Sequence, residues 1–216
     1  MLATISAWIY DLLFYRLSSH WYIAVLNRLS NGAKLLDVGV GTGSSLIANA
    51  DLLKTKDIHV HGVDINQAYL TFCQKKIDKN QLNDYISIQE ISFYDVPVSV
   101  KYDAVYFSAS FMLLPDQNAA LEVAKKILNE NGMICFTQTF SKEKSLFWEI
   151  IKPILWMITS VHFGKVTYEE EFVQLIAKHD LEIVQNELLS TQGLRNQREM
   201  KLMIAKPKQK TITSAV

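Results

Sequence analysis

Cysteine is nearly absent from the chain. Two cysteines in 216 residues, Cys73 and Cys135, lie far apart. They supply neither a disulfide framework nor a Cys-based zinc cluster, and they suit a reducing compartment. Cys73 falls in a helix pattern and Cys135 in a strand pattern, so both read as small buried residues. Net charge is absent as well: Lys plus Arg and Asp plus Glu are 22 each. That balance argues against electrostatic capture of nucleic acid. No long apolar run exists. The nearest, Phe147 to Gly164, contains Glu149, Lys152 and Pro153, which excludes a transmembrane helix. The N-terminal stretch MLATISAWIYDLLFYR has no basic region before its apolar part and is interrupted by Asp11 and Arg16, so it does not read as a cleaved signal peptide. The expected location is the cytoplasm. The end, AKPKQKTITSAV, reads as a frayed polar tail.

What remains is a globular composition, 49% hydrophobic and 20% charged. The length fits one domain over 1–216, with an N-terminal helix within 1–30 and a helical cap at about 142–180. Glycine and proline are scarce, at eight and four, yet Gly39, Gly41 and Gly43 fall within five positions. Such clustering marks a place where the backbone must be unusual.

Around that cluster, apolar runs alternate between strand and helix periods. Helix is expected over Ile5–Leu29, with a break at Ser30-Asn31-Gly32. Strand Lys34–Val38 leads into the glycine loop and a helix near Ser44–Leu53. Strand Ile58–Val63, helix Gln67–Asn80 and strand Tyr85–Gln89 follow. Strand Ala104–Ser108 precedes a helix opened by Pro115 and Asp116 and running to about Asn129. A turn at Asn131-Gly132 enters strand Met133–Thr139. This alternation predicts a mostly parallel α/β sheet covered on both faces. The last third departs from it. Helices are expected from Lys142 to about Val161 and over Tyr168–His179. Strands Glu182–Leu189 and Met200–Lys206 then follow, with a connection too short for a crossover helix. The last two strands therefore form an antiparallel hairpin.

The segment LLDVGVGTGSSL reads as strand, Gly-x-Gly-x-Gly and helix. Gly39 and Gly41 let backbone approach a ligand, and the next helix offers free N–H groups. Asp64, in GVDIN, ends the second strand, where a carboxylate can accept from vicinal ribose hydroxyls. Together these point to an adenosine-containing ligand. The dinucleotide pattern G-x-G-x-x-G would need glycine at Ser44. Asp37, two residues before Gly39, would repel a pyrophosphate and suits a cationic ligand such as a sulfonium or ammonium.

On these residues the chain resembles the class I (Rossmann-like) S-adenosylmethionine-dependent methyltransferases. LLDVGVGTGSS is similar to their motif I and VDIN to their second acidic motif. DVPVSVKYDAVYFSASFMLLPD resembles their third- to fourth-strand region, and KKILNENGMICFTQTF the stretch holding their fifth strand. The resemblance spans about Lys34–Phe140. It implies a seven-stranded sheet of order 3-2-1-4-5-7-6 and S-adenosyl-L-methionine as cofactor. It also implies Asp37, Gly39, Val40 and Gly41 around the methionine part, Asp64 on the ribose, and Ile65 over one face of the adenine. Ser92 stands where the family often has an acidic residue for the adenine amino group. Ser92, Phe93 and Ser108 complete the implied cofactor contacts, and Tyr15 or Tyr10 on the N-terminal helix can reach over the site. The fourth-strand loop, SFMLL, lacks the His common in quinone-type and lipid-type members.

The acceptor side is read from composition. SLFWEIIKPILWMITSVHFG is apolar nearly all round a helix, which implies burial on more than one side. With Tyr10, Trp148, Trp156 and Tyr168 it would wall a pocket for a small apolar or aromatic acceptor. Contact with a membrane surface or a second subunit, as monomer or homodimer, are the other uses of such a surface. Methyl transfer from a sulfonium needs mainly alignment. A neutral amine needs no base, whereas a hydroxyl or acidic carbon does. His20, His162 and Tyr168 qualify as bases by location only, so nitrogen is favoured, with a lipid or quinone-like acceptor as the other option. No metal cluster is expected: His59 and His61 share a strand face but no Asp, Glu or Cys joins them. Glu169, Glu170 and Glu171 read as a solvated first helical turn. Two other function classes fit less of the sequence. One is a methyltransferase-like binding subunit without catalysis. The other is an NAD-dependent oxidoreductase, disfavoured by the glycine spacing.

Overall fold

The computed structural model describes residues 19–141, 167–192 and 198–208. The expectations for Tyr10, Tyr15, Trp148, Trp156, His162 and the 142–161 helix lie outside these residues. Helix α1 covers 19–26. Then follow β1 (Lys34–Val38), α2 (Ser44–Ile47), α3 (Ala50–Lys56), β2 (His59–Asp64), α4 (Gln67–Lys79) and β3 (Ile86–Glu90). After these come β4 (Tyr102–Ser108), α5 (Gln117–Ile127), β5 (Leu128–Ser141), β6 (Thr167–Tyr168), α6 (Glu169–Lys178), β7 (Leu181–Gln192) and β8 (Arg198–Pro207). The sheet order is β3-β2-β1-β4-β5-β8-β7. The expected seven-strand order is therefore present, and the two-residue β6, paired parallel to the end of β5, adds an eighth strand. β1 to β5 pair in parallel, and β8 is antiparallel to both β5 and β7.

Period-two alternation splits the core between the two faces of the sheet. Leu36, Val105, Phe107, Ile134 and Phe136 face α5 and α6, where Leu121 and Phe172 meet them. Leu35, Val60, Ala104, Tyr106 and Cys135 face α1, α3 and α4, which contribute Val25, Leu26, Leu53, Leu70 and Cys73. Both cysteines are buried, as expected.

Several local expectations are corrected. The helix expected over Ser44–Leu53 is two helices, because the Asn49 carboxamide donates to the carbonyls of Ser45 and Ser19 at 2.8 and 3.1 Å. Such side-chain bonding competes with the helical ladder. Pro115 lies outside α5; Asp116 caps it, its Oδ1 accepting from the Ala119 N–H at 2.9 Å. The turn expected at Asn131-Gly132 is an irregularity inside β5. Pairing starts at Tyr102↔Leu128 and shifts before Ala104↔Met133. The Asn129 amide donates to Asp103 Oδ1 at 2.6 Å in that irregularity. The acidic turn of α6 is not merely solvated. Glu169 pairs with Lys201 at 2.6 Å and accepts from the Asn186 amide at 2.7 Å.

α1 is fixed by charge at its C-terminal end, where a cation meets the helix dipole. The Lys56 ammonium donates to the carbonyls of Leu26 and Asn27 at 2.9 and 3.0 Å, and to that of Leu29. Arg28 reaches Gln185 and Glu187 on β7. These ties aim the buried face of α1 at the carboxyl end of β1. No described helix is long and apolar enough to cross a membrane.

Candidate active site at the carboxyl ends of the strands

β1 delivers the chain into the glycine loop at the point where strand order reverses, between β1 and β4. Ligands of parallel α/β sheets bind outside the carboxyl ends at such a point. The Gly39 and Val40 N–H groups both donate to the Val63 carbonyl, at 2.8 and 3.2 Å, which folds the loop over the end of β2. The three glycines have positive φ, but different reasons to be glycine. A Cβ on Gly39 would stand 2.8 Å from Cβ of Ser110, and one on Gly43 would stand 2.4 Å from Sγ of Cys73. Those two positions are closed by packing. A Cβ on Gly41 would meet nothing within 4 Å. The loop is thus open at Gly41, where a ligand can lie on the backbone.

Asp64 ends β2 with both oxygens aimed at backbone. Oδ2 accepts from the Gly41 N–H at 2.9 Å and Oδ1 from the Asn66 N–H at 2.8 Å. Burial pushes its carboxyl above the usual range, opposed by those backbone hydrogen bonds. Asn66 starts α4, its side chain accepting from Ala68 and Tyr69 N–H groups. Beside Asp64, Ile65 is 77% exposed, an apolar side chain standing free at the rim.

Asp37 is wholly buried at the end of β1. Its Oδ2 accepts from the Tyr22 hydroxyl at 2.7 Å, and its Oδ1 has no hydrogen-bond partner. Burial pushes its carboxyl up to about 7, with the Tyr22 bond opposing and the Asp64 charge adding to the rise. Tyr22 packs edge-on against Tyr106, ring centroids 5.1 Å apart, and the Tyr106 hydroxyl lies 2.7 Å from Thr137 Oγ1. Burial raises both phenols far above their usual range, while hydrogen bonding with Ser108 pulls each down. A polar row therefore crosses the ends of β1, β4 and β5.

The structure brings Asp37, Gly39, Val40, Gly41, Asp64, Ile65 and Ser108 to this end of the sheet. Val40 is 6% exposed and packs in the core. Ser92 caps a short 3-10 turn, Oγ accepting from the Tyr94 N–H at 3.4 Å. Phe93 is buried, its ring edge-on to Phe107 at 5.3 Å, so that ring serves the core. Tyr168 starts α6, paired in register with Ser141 at the end of β5. His20 is exposed, and His61 is engaged with the Tyr102 hydroxyl at 2.6 Å. Asp103 sits at the amino end of β4, accepting from the Lys34 N–H at 2.8 Å, on the opposite side from the site. Among the described residues no three His, Cys, Asp or Glu side chains could hold a metal ion. Sequence reasoning missed Tyr22, Ser110, Tyr106 and Thr137. Tyr22 had a signal: it is an aromatic with a polar hydroxyl in the segment whose sequence pattern predicts the N-terminal helix.

Known proteins resemble the chain in sequence and in fold. The chain is 23% identical over 116 residues to the O-methyltransferase rstn1 of Aspergillus nomiae, covering 52% of this chain and 50% of that one. The match thus spans about half that relative's length. Its fold is similar to the [4+2]-cyclase SpnF, with a TM-score of 0.71, 14% identity, and 88% and 81% of the two chains covered. It is also similar to a SAM-dependent methyltransferase from Thiobacillus denitrificans, solved with S-adenosyl-L-homocysteine. There the TM-score is 0.64 at 12% identity, with 88% and 91% covered. A methyltransferase-domain model matches residues 29–189, well over half of the chain, and the chain belongs to that methyltransferase domain family.

Proposed function

We propose that the chain moves a methyl group from S-adenosyl-L-methionine to a small apolar or aromatic acceptor, with nitrogen favoured as the receiving atom. The carrying observation is Asp37 Oδ1, a buried carboxylate oxygen without a partner beside a glycine loop that is open at Gly41. A buried acceptor of that kind fits a cationic ligand. When bound, the cofactor supplies a methyl group activated by a sulfonium. The chain's own part is to hold and align. Asp37 would face the cationic methionine portion, with Tyr22 fixing its carboxylate. Asp64 would take the ribose hydroxyls, its carboxylate held by the N–H groups of Gly41 and Asn66. Ile65 would cover the adenine, with Ser92 at its edge.

The preference for nitrogen follows from chemistry. A neutral amine transfers without a base, whereas a hydroxyl needs one positioned. The polar side chains toward the carboxyl ends of β4 and β5, Ser108, Thr137 and Tyr106, are hydroxyls, and Tyr106 is too weak an acid to serve as a ready base at neutral pH. Tyr15 would reach the cofactor, and the acceptor would be walled by the cap at about 142–180, with Tyr10, Trp148, Trp156 and Tyr168, on a chain acting as one domain in the cytoplasm. The test is a transfer assay over amine, phenol and carboxylate acceptors of graded apolar content. The reading expects amines of high apolar content to be methylated fastest, with Trp148→Ala and Trp156→Ala raising acceptor KM and sparing cofactor affinity. Equal turnover of all three classes would remove the nitrogen preference. Cofactor binding without any transfer would favour a binding subunit.

A further inference from the structure

β5 runs past its parallel neighbour at the carboxyl end of the sheet. The last β4–β5 pair is Ser108↔Thr137, whereas β5 continues to Ser141. The first residue beyond that pair is Gln138, which is 1% exposed. Neither its amide nitrogen nor its amide oxygen has a hydrogen-bond partner. Phe136 and Phe140, its same-face neighbours on the strand, are buried and pack edge-on against Phe172 at 5.0 and 5.3 Å. A desolvated amide with both polar atoms unpaired is unfavourable, and native proteins rarely keep one without a purpose.

The surroundings narrow what would complete it. Lys201 of β8 is the cross-strand partner of Gln138 and shares its face. The Lys201 ammonium is already held by Glu169 at 2.6 Å and Glu199 at 3.0 Å. That ammonium is therefore engaged and does not complete Gln138. The missing partner has to match both atoms of the amide at once. A Gln amide offers an acceptor oxygen and donor hydrogens in one plane. Its complement is a planar group with a C=O and an N–H side by side, as in a carboxamide or a lactam. The residue lies at the same end of the sheet as Gly41, Asp64 and Ser108, where ligands of such sheets bind.

We propose that Gln138 is a specificity-determining residue that pairs with a carboxamide or lactam edge on the methyl acceptor. This rests on the reading of the chain as a methyltransferase with a small acceptor. The test uses the full chain, 15N-labelled and loaded with S-adenosylhomocysteine. Its probes are benzamide and acetophenone, which differ in the amide NH2. The Gln138 side-chain amide signal is identified by its loss in Gln138→Leu. Benzamide is expected to shift that signal and to bind about tenfold or more tightly than acetophenone. Gln138→Leu is expected to abolish the preference and to melt no lower than the parent, because an apolar side chain replaces an unpaired amide. If the Leu variant does not fold, Gln138→Met takes its place. Equal binding of the probes, no binding of benzamide, a preference that survives the substitution, or a marked fall in melting temperature overturns the assignment. Calorimetry of S-adenosylhomocysteine on the same sample separates the two readings. No cofactor binding defeats the methyltransferase reading itself, whereas cofactor binding without benzamide preference defeats only the role of Gln138.

Discussion

The Tyr22 hydroxyl donates to one oxygen of Asp37 at 2.7 Å, and the other oxygen of that buried carboxylate is left without a partner. One side chain of α1 thus orients the acid at the end of β1 and leaves half of it for a ligand. The folded pKa of Asp37 lies at about 7, raised by burial from 3.8. A carboxyl raised on folding penalises the fold where it must ionise. The penalty is absent below the unfolded value, grows as pH rises through the window between the two, and is complete above the folded value, where it amounts to about 4 kcal/mol. A cationic ligand beside Asp37 needs the ionised form. Affinity for S-adenosylmethionine should therefore fall about tenfold between its plateau above neutrality and one unit below the folded pKa. Titration calorimetry across that range checks it, and Asp37→Asn should flatten the profile.

Tyr22→Phe removes the donor while leaving the ring against Tyr106. Asp37 then loses the bond that opposes its upward shift, so the pH profile of cofactor binding should move to higher pH. Affinity at neutral pH should weaken by about 1.5–3 kcal/mol, the range for a hydrogen bond to a charged group. An unmoved profile would mean that the Tyr22 bond does not set the ionisation of Asp37.

The glycines should separate by phenotype. Gly39→Ala drives a Cβ to 2.8 Å from Ser110 Cβ, and Gly43→Ala drives one to 2.4 Å from Cys73 Sγ. Both should lower stability by about 1–3 kcal/mol through overpacking, read as a fall in melting temperature. Gly41→Val meets open space and strains only its left-handed backbone, φ 57. It should fold, by circular dichroism, yet lose cofactor binding, because its side chain fills the place kept for the ligand. Normal binding by Gly41→Val would show that the ligand does not lie on that loop.

Asp64→Ala should weaken cofactor affinity by about 1–3 kcal/mol through lost charge-assisted bonds to the ribose. It also frees the N–H groups of Gly41 and Asn66, so thermal melts must accompany the calorimetry. Binding unchanged in a well-folded variant would move the ribose elsewhere.

The parallel strands were legible because each is an apolar run closed by a turn, whereas their order in the sheet came only with the resemblance to the methyltransferase family. The hairpin was legible from the short connection around Gly193. β6 was not, because two residues carry no period. The break at Asn49 depends on the Ser19 carbonyl, thirty positions away, a contact no local pattern reveals. Asp37, Gly41 and Asp64 were legible because motif spacing encodes them. Tyr22 was not singled out, since its bond to Asp37 is tertiary. Gln138 looked like any strand residue, because period and propensity do not register an unpaired amide.

The most direct test is calorimetric titration of the full chain with S-adenosylmethionine and, separately, with NAD. A site built on Asp37, the Gly41 opening and Asp64 predicts micromolar affinity for S-adenosylmethionine, about −8 kcal/mol, and no NAD binding. NAD binding without S-adenosylmethionine binding would contradict it.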